Sequence, residues 1–124
     1  MVSQNTNAVA FAMPGGESCG AAQARPIDLA HLSRQTMGDR ALELEVLGLF
    51  VQQVLQARDQ IFGMSTNERL RLAHSLKGSA RGVGAFAIAA CADEIEAQPQ
   101  DETVLRRMVA LIDDVRDFVA AVSR

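Results

Sequence analysis

The sequence predicts an all-α protein, an antiparallel four-helix bundle with a short extra N-terminal helix. In four long segments, apolar residues recur at the three- and four-residue spacing of a helix face, and helix-start signals or breakers separate these segments. No segment shows the alternation of a strand, and no internal repeat is present. Of the 124 residues, 48% are hydrophobic but only 4% are aromatic, so we expect a single core built from aliphatic side chains.

Residues 1–25 differ in composition from the rest of the chain. They are rich in Ala, Gly, Ser, Asn and Gln and show no sustained period. We therefore interpret them as a disordered N-terminal tail before a folded domain over residues 26–124. The apolar piece from Ala8 to Met13 could dock transiently on another surface, although a featureless leader is the simpler interpretation. Cys19 in this tail is expected to be a free thiol.

Two helices are predicted in the first half of the domain. Asp28 is the expected N-cap of a short first helix that ends near Gln35. His31 on that helix has no lysine or glycine arranged around it, so we interpret it as a surface or packing residue. A long second helix runs from about Asp39 to Gly63, and Gly63 is expected to end it. Its predicted core stripe consists of Leu47, Phe50, Val51, Val54, Leu55, Ile61 and Phe62.

Three further helices follow in the second half. Ser65 and Glu68 match a capping box that opens the third helix, which should close at Gly82-Val83-Gly84. A fourth, alanine-rich helix is predicted from about Ala85 to Ala97, and its inward stripe is Ile88, Cys91, Ala92 and Ile95. The last helix runs from the N-cap Asp101 to about Val122. Its stripe is Val104, Met108, Leu111, Ile112, Val115, Phe118, Val119 and Val122.

The third helix carries one histidine on its polar side. At about 100° per residue, the residues opposite His74 are Leu72, Leu76, Ser79 and Val83. We therefore expect His74 to point toward water, where an imidazole is a nucleophile that can form a covalent intermediate. Lys77 could neutralise a phosphoryl group on the ring, and Gly78 leaves a hollow beside it. On spacing alone, an ordinary surface histidine beside a tolerated helix glycine, at a cost of about 1 kcal/mol, explains the pattern equally well.

The residues around His74 carry a resemblance to a known family. The chain is similar to histidine-containing phosphotransfer (HPt) domains of bacterial two-component phosphorelays in the run His74-Ser-Leu-Lys-Gly-Ser-Ala80, followed by Gly84, Cys91 and Glu96. The similarity extends more faintly from Ile27 to Glu96 and, in helix pattern, to the C-terminus, which is about four-fifths of the chain. It implies a four-helix bundle that carries phosphate without an ATP-binding or kinase domain of its own.

The resemblance also implies roles for individual residues. His74 would be the phospho-acceptor, reacting through the ring nitrogen farthest from the backbone, with Lys77 and Gly78 beside it. Glu96 lies 22 residues after His74, across the turn at Gly84, and would accept a hydrogen bond from the inner ring nitrogen. An exposed surface glutamate is the alternative for Glu96. Phosphoryl transfer is mostly positioning and charge neutralisation, so this chain needs to supply only a nucleophile, a positive charge and room.

The implied partners are receiver domains of a response regulator and a sensor or hybrid histidine kinase. The receiver would bring Mg²⁺ and its own lysine, so no cofactor is expected on this chain. The predicted partner-binding residues are Leu70, Arg71 and Arg81. Leu70 is unusual as an apolar residue on the histidine face, although packing against the first helix is a competing interpretation. A solvated charge is the competing interpretation for Arg81.

Composition limits the remaining classes of function. The net charge of −3 with scattered Lys and Arg argues against nucleic acid as the main partner. There is no apolar run of about 18 residues and no signal-peptide pattern, so a cytoplasmic protein without a membrane span is expected. A monomer is expected because one bundle can bury all four stripes. The alternative function is a non-catalytic helical-bundle interaction module that binds a kinase or response regulator without carrying phosphate.

Overall fold

The computed structural model describes residues 25–124, so the predicted tail and its apolar piece lie outside the described residues except for Arg25. Within that part of the chain, every regular element is helical, which confirms the all-α prediction. The helices are α1 (Leu29–Gln35), α2 (Arg40–Gln60), α3 (Thr66–Val83), α4 (Phe86–Ala97) and α5 (Glu102–Val122). None of these helices is both long enough and apolar enough to cross a membrane.

Side-chain caps fix the helix starts where the sequence predicts them. The carboxylates of Asp28 and Asp101 accept hydrogen bonds from backbone amides in the first turns of α1 and α5. Asp39 caps α2 in the same way. At the start of α3, Ser65 and Glu68 form the predicted capping box: the Glu68 amide donates to Ser65 Oγ at 3.2 Å, and the Ser65 amide donates to Glu68 Oε1 at 2.8 Å.

The end of α2 differs from the prediction. The α-helix stops at Gln60, and Ile61–Gly63 continue as one turn of 3₁₀-helix, so Gly63 does not end the helix in a left-handed conformation. Ile61 is buried, but Phe62 is 46% exposed, and its assignment to the core stripe is wrong. The cause is geometric, because a 3₁₀ turn has three residues per turn instead of 3.6 and rotates the next side chain off the α-helical stripe.

Helices α2 to α5 form an antiparallel bundle, as contacts between distant residues show. Arg58 of α2 meets Asp113 of α5, whereas Arg40 near the start of α2 meets the backbone of Val122 near the end of α5. Across α4 and α5, Glu94 pairs with Arg107. The core is aliphatic, as expected, and its largest fully buried members include Leu47, Leu76, Ile88, Ile95, Leu105, Met108 and Ile112. Several predicted stripe residues lie only at the edge of this core: Val51, Leu55, Leu111, Phe118 and Val122.

The turn between α3 and α4 joins the short helix α1 to the bundle. Gly84 ends α3 in the left-handed region with φ +90°, and its amide donates to the Ala80 carbonyl. The Asp28 amide in turn donates to the Gly84 carbonyl at 2.9 Å. A Cβ atom on Gly84 would lie 2.8 Å from the Asp28 carbonyl oxygen. Glycine is therefore required here both by the backbone angle and by the approach of the α1 segment.

The opposite end of α3 is tied down by an arginine that sequence reasoning missed. Arg69 donates from Nε to the Ile61 carbonyl at 2.9 Å and from Nη2 to the Phe62 carbonyl at 3.0 Å. Its Nη1 donates to the Pro99 carbonyl at 3.0 Å. One side chain thus links the α2–α3 turn to the α4–α5 turn, and α3 is held at both ends.

Candidate functional site

His74 lies in the middle of α3 with its side chain 79% exposed. Its orientation follows from the helix period, because the neighbouring Ala73 and Leu76 are buried in the core. The sequence-based expectation that the imidazole points to water agrees with this geometry. The exposed ring can meet another macromolecule without any rearrangement of the bundle.

Glu96 of α4 is the acidic residue beside this ring. Its Oε2 lies 3.5 Å from His74 Nδ1, and its side chain is 28% exposed. Antiparallel packing of α3 and α4 brings the two residues level, as the spacing across the Gly84 turn suggests. The distance is longer than the roughly 2.7–3.2 Å of an N–H···O hydrogen bond, so it is a close electrostatic contact in this conformation. It nevertheless marks Nδ1 as the nitrogen that faces the protein.

Lys77 does not extend toward the outer edge of the ring. Its ammonium donates to Glu96 Oε1 and, at 2.9 Å, to Asp93 Oδ1. These two carboxylates, Glu96 foremost, raise the pKa of Lys77 above its ordinary value. Lys77 is thus a fixed, fully charged cation that bridges α3 to two carboxylates on α4.

Asp93 is the member of this site that sequence reasoning missed. The hydrogen bond from Lys77 is the main reason that its pKa lies below the ordinary value for an aspartate. Arg81 Nη2 also lies 3.6 Å from Asp93 Oδ2, so Arg81 pairs with this carboxylate. A signal was present in the sequence, because Asp93 precedes Glu96 by three residues and therefore shares its helix face.

Gly78 leaves the surface beside His74 open. It is exposed, and a Cβ atom built on it would meet no other group within 4 Å. The predicted hollow next to the histidine is therefore present, and packing within the bundle does not explain the glycine. A side chain at this position would project into the open space beside His74.

Comparison with known proteins agrees with this helical fold. The family model of the Hpt domain matches residues 28–122, which is more than half of the chain. This chain belongs to the Hpt domain family. Members of this family are helical modules of histidine phosphotransfer in two-component systems, where they interact with kinases and receiver domains. Searches of the curated proteins and of the solved structures yield no match.

A second open surface of this Hpt domain lies between α2 and α3. A groove of about 270 Å³ is lined by Val46, Leu49, Phe50, Gln53, Ser79 and Val83. Leu49 is 62% exposed at its edge, which sequence analysis did not single out. Gln53 Nε2 lies 3.5 Å from Ser75 Oγ, the residue next to His74. This contact joins α2 to α3 between the groove and His74.

The three predicted partner-binding residues lie in different settings. Leu70 is partly buried and lies outside the core cluster, one helical turn before His74. The Asp28 amide joins the α1 segment to the bundle at Gly84, 14 residues beyond Leu70. Arg71 is exposed. Arg81 is 59% exposed but engaged with Asp93.

The remaining candidates have structural roles. Cys91 is buried, as predicted, and its Sγ lies 3.6 Å from the Val104 carbonyl oxygen. Burial raises its pKa to about 11, so it is not a reactive thiol. His31 packs edge-on against Phe86 with ring centroids 5.1 Å apart. Across residues 25–124, no cluster of three or more His, Cys, Asp or Glu residues is arranged to hold a metal ion.

Proposed function

We propose that this Hpt domain relays a phosphoryl group between aspartates of receiver domains, those of a hybrid histidine kinase and of a response regulator, through phospho-His74. The observation that carries the proposal is the 79% exposed imidazole whose Nδ1 faces Glu96 at 3.5 Å. With Nδ1 turned to the protein, Nε2 is the ring nitrogen left to react. The second histidine, His31, packs against Phe86 and lacks these surroundings.

The reaction requires little chemistry from this chain. The lone pair of His74 Nε2 forms a bond to phosphorus while the bond from phosphorus to the aspartate oxygen of the receiver breaks. The electron pair of that bond returns to the receiver carboxylate. Since Nδ1 keeps its proton, the phosphorylated ring carries a positive charge, which the Glu96 carboxylate stabilises. In the reverse direction the ring releases the phosphoryl group to a second aspartate.

Charge neutralisation around phosphorus is assigned mainly to the partner. We expect the receiver to bring Mg²⁺ and a lysine, which bind the transferring oxygens, whereas this chain needs no metal or cofactor of its own. The pairing of Lys77 with Glu96 and Asp93 supports a role in orienting Glu96 and adding positive field near the ring. Gly78 supplies the room that an approaching receiver needs.

Surfaces on both sides of His74 support docking of a protein partner. Leu70 and the neighbouring Arg71 lie on the N-terminal side, and the groove bordered by Leu49 lies along α2 and α3. Exposed apolar surface of this kind marks sites of protein interaction. We assign Leu70, Arg71 and Arg81 to partner contact, with the basic residues steering an acidic receiver surface. We expect the chain to act as a cytoplasmic monomer without nucleic-acid partners.

A transfer assay tests this proposal against the alternative, a module that binds partners without carrying phosphate. Receiver domains from the source organism are charged with radiolabelled acetyl phosphate and mixed with the full chain. We expect a label on the chain that is labile in acid and stable in base, lost in His74→Gln and retained in the matched variant His31→Gln. A chain that binds a receiver but never takes up label would be the non-catalytic module, and label surviving in His74→Gln would exclude His74 as the acceptor.

A further inference from the structure

The charged groups beside His74 form a continuous chain of alternating sign. Arg81 contacts Asp93, Asp93 contacts Lys77, and Lys77 contacts Glu96, whose second oxygen faces His74 Nδ1. The two middle members are the least exposed: the side chains of Lys77 and Glu96 are 19% and 28% exposed, whereas that of Asp93 is 53% exposed. A change at Asp93 therefore reaches His74 through two side chains that have little freedom to relax.

The two carboxylate oxygens of Glu96 contact different groups. Oε1 accepts from the Lys77 ammonium, and Oε2 is the oxygen near Nδ1. A carboxylate rotates about its last bond unless a partner holds it. Because Lys77 holds Oε1, the rotation of Glu96 depends on where the ammonium lies, and the 2.9 Å bond to Asp93 anchors that ammonium on its other side. A lysine side chain without such an anchor samples many rotamers.

We propose that Asp93 is a positioning residue for phosphotransfer: by anchoring Lys77 against Glu96, it keeps one Glu96 oxygen directed at His74 Nδ1. The effect is to hold the Nδ1 proton in place and to leave the lone pair on Nε2, the tautomer that the transfer needs. Carboxylates that act through a histidine in this way fix its tautomer and ring orientation. The inference rests on the proposed function of His74, but its effect on the ring can be measured without any transfer.

The chain offers a matched control on the same helix. Glu94 follows Asp93 directly and also forms an ion pair, at 2.6 Å with Arg107 of α5. Its side chain is 47% exposed, close to the 53% of Asp93, and it faces away from α3. Asp93→Asn and Glu94→Gln therefore each remove one charge from α4. The first loses the ion pairs with Lys77 and Arg81 and the second only the pair with Arg107, so only the first touches the contacts that lead to His74.

The first measurement is the tautomer of the His74 ring in the full chain. Two-dimensional NMR of histidine labelled with ¹⁵N, recorded at about pH 8.5, well above the ordinary pKa of an imidazole, distinguishes a protonated Nδ1 from a protonated Nε2. We expect Nδ1–H to predominate in the wild type and in Glu94→Gln. In Asp93→Asn the ring should shift to a mixture of tautomers, and Asp93→Glu, which keeps the charge, should restore the wild-type spectrum.

The second measurement is the rate of phosphorylation by phosphoramidate, a small donor that needs no receiver domain. We expect Asp93→Asn to be slower by roughly three- to tenfold, less than the loss typical of removing a direct partner of a functional histidine. Asp93→Glu should recover to within about twofold and Glu94→Gln should be unchanged. An unchanged tautomer in Asp93→Asn, or a rate equal to or above that of the wild type, overturns the proposal. If His74 of the wild type takes up no label at all, the proposed function is contradicted. The tautomer of the ring would still decide the role of Asp93.

Discussion

Two glycines, Gly78 within α3 and Gly84 at its C-cap, have opposite surroundings. At Gly78, next to His74, an added Cβ would meet nothing within 4 Å, and the backbone is an ordinary helix. At Gly84, where α3 ends, φ is +90° and an added Cβ would lie 2.8 Å from the Asp28 carbonyl oxygen. Gly84 is therefore required by the fold, while nothing in the fold requires Gly78. The close approach of a partner to His74, which we propose, gives Gly78 a role that the fold does not supply.

The same contrast extends to the regions around them. The Gly84 region is closed: backbone hydrogen bonds join it to α1, and Ala80, Val83 and Ala85 are buried. The His74 region is open and polar, and its contacts are ion pairs between partly exposed side chains. Substitutions in the first region should thus change stability, whereas substitutions in the second should change phosphotransfer.

The largest effect is expected at His74. His74→Gln should reduce phosphorylation by a charged receiver domain to background, because no other exposed imidazole is available in residues 25–124. The melting temperature should change by no more than about 3 °C, since an exposed side chain contributes little to stability. Label transfer measures the loss of phosphorylation, and thermal unfolding followed by circular dichroism measures the melting temperature. Unfolding of the variant would make His74 a structural residue and remove the contrast with Gly84.

Gly78→Gln should block transfer while the domain stays folded. The long side chain fills the open space beside His74, and a misplacement of the reacting groups by about 1 Å costs on the order of a hundredfold in rate, so at least a tenfold loss is expected. Helix propensity should add up to about 1 kcal/mol to the free energy of unfolding. Gly82→Gln, one turn further along and also open, is the control and should transfer normally. Equal rates in wild type and Gly78→Gln would mean that no partner comes close at this point.

Gly84→Ala should destabilise the domain without a direct effect on the chemistry. The left-handed backbone costs an alanine about 1–2 kcal/mol, and the contact with Asp28 adds to this, so we expect a loss of at least about 2 kcal/mol and roughly 10 °C in melting temperature. Gly82→Ala on the same helix should instead gain up to about 1 kcal/mol. Urea unfolding of the two variants measures the difference. A neutral Gly84→Ala would show that α1 can move away from the turn.

Much of the fold could be predicted from the sequence, because the signals at the helix ends are local. Asp28, Ser65 with Glu68, and Asp101 are each recognisable as caps from a few neighbouring residues, and the structure has them as caps. Phe62 was assigned wrongly, because the change from an α-helix to a 3₁₀ turn at Ile61 has no clear local signal. The link through Arg69 was missed for a related reason, since its three acceptors lie in two turns that are distant in sequence.

For the open region around His74, the sequence predicted most of the residues but not all of the contacts between them. The exposure of His74, the space at Gly78 and the approach of Glu96 follow from helix period and antiparallel packing. From the sequence we expected Lys77 to neutralise the phosphoryl group, whereas in the structure it pairs with two carboxylates of α4. Helix period gives the face of a residue but not the rotamer of a long side chain, so the choice between these partners needed coordinates.

Glu96→Ala should slow transfer without abolishing it. Removal of the carboxylate takes away the group that faces Nδ1, while the metal and lysine expected on the receiver still stabilise the transferring phosphoryl group. A loss of about tenfold is expected, with a shift of the ring toward the other tautomer. Glu94→Ala is the matched control. If rate and tautomer in Glu96→Ala equal those of the wild type, Glu96 is only a surface charge and the open region consists of His74 and Gly78 alone.

The smallest effect concerns the stability that the ion pairs add to the open region. The pKa of Asp93 is lowered by Lys77 and Arg81, so its contribution is present above the unfolded pKa of about 3.9 and is lost as the pH falls through the lower folded value. The pKa of Lys77 is raised by Glu96 and Asp93, so its contribution is present below about 10.4 and is lost as the pH rises through the folded value. The melting temperature of the wild type should therefore exceed that of Asp93→Asn by a small amount between these limits, and the difference should fade at both ends.

Addition of salt should also shrink this difference in melting temperature, because both partners of the Asp93–Lys77 pair reach the surface. A difference that persists at pH values well below 4 would mean that Asp93 stabilises α4 through packing, and the open region would then share the structural role of the Gly84 turn.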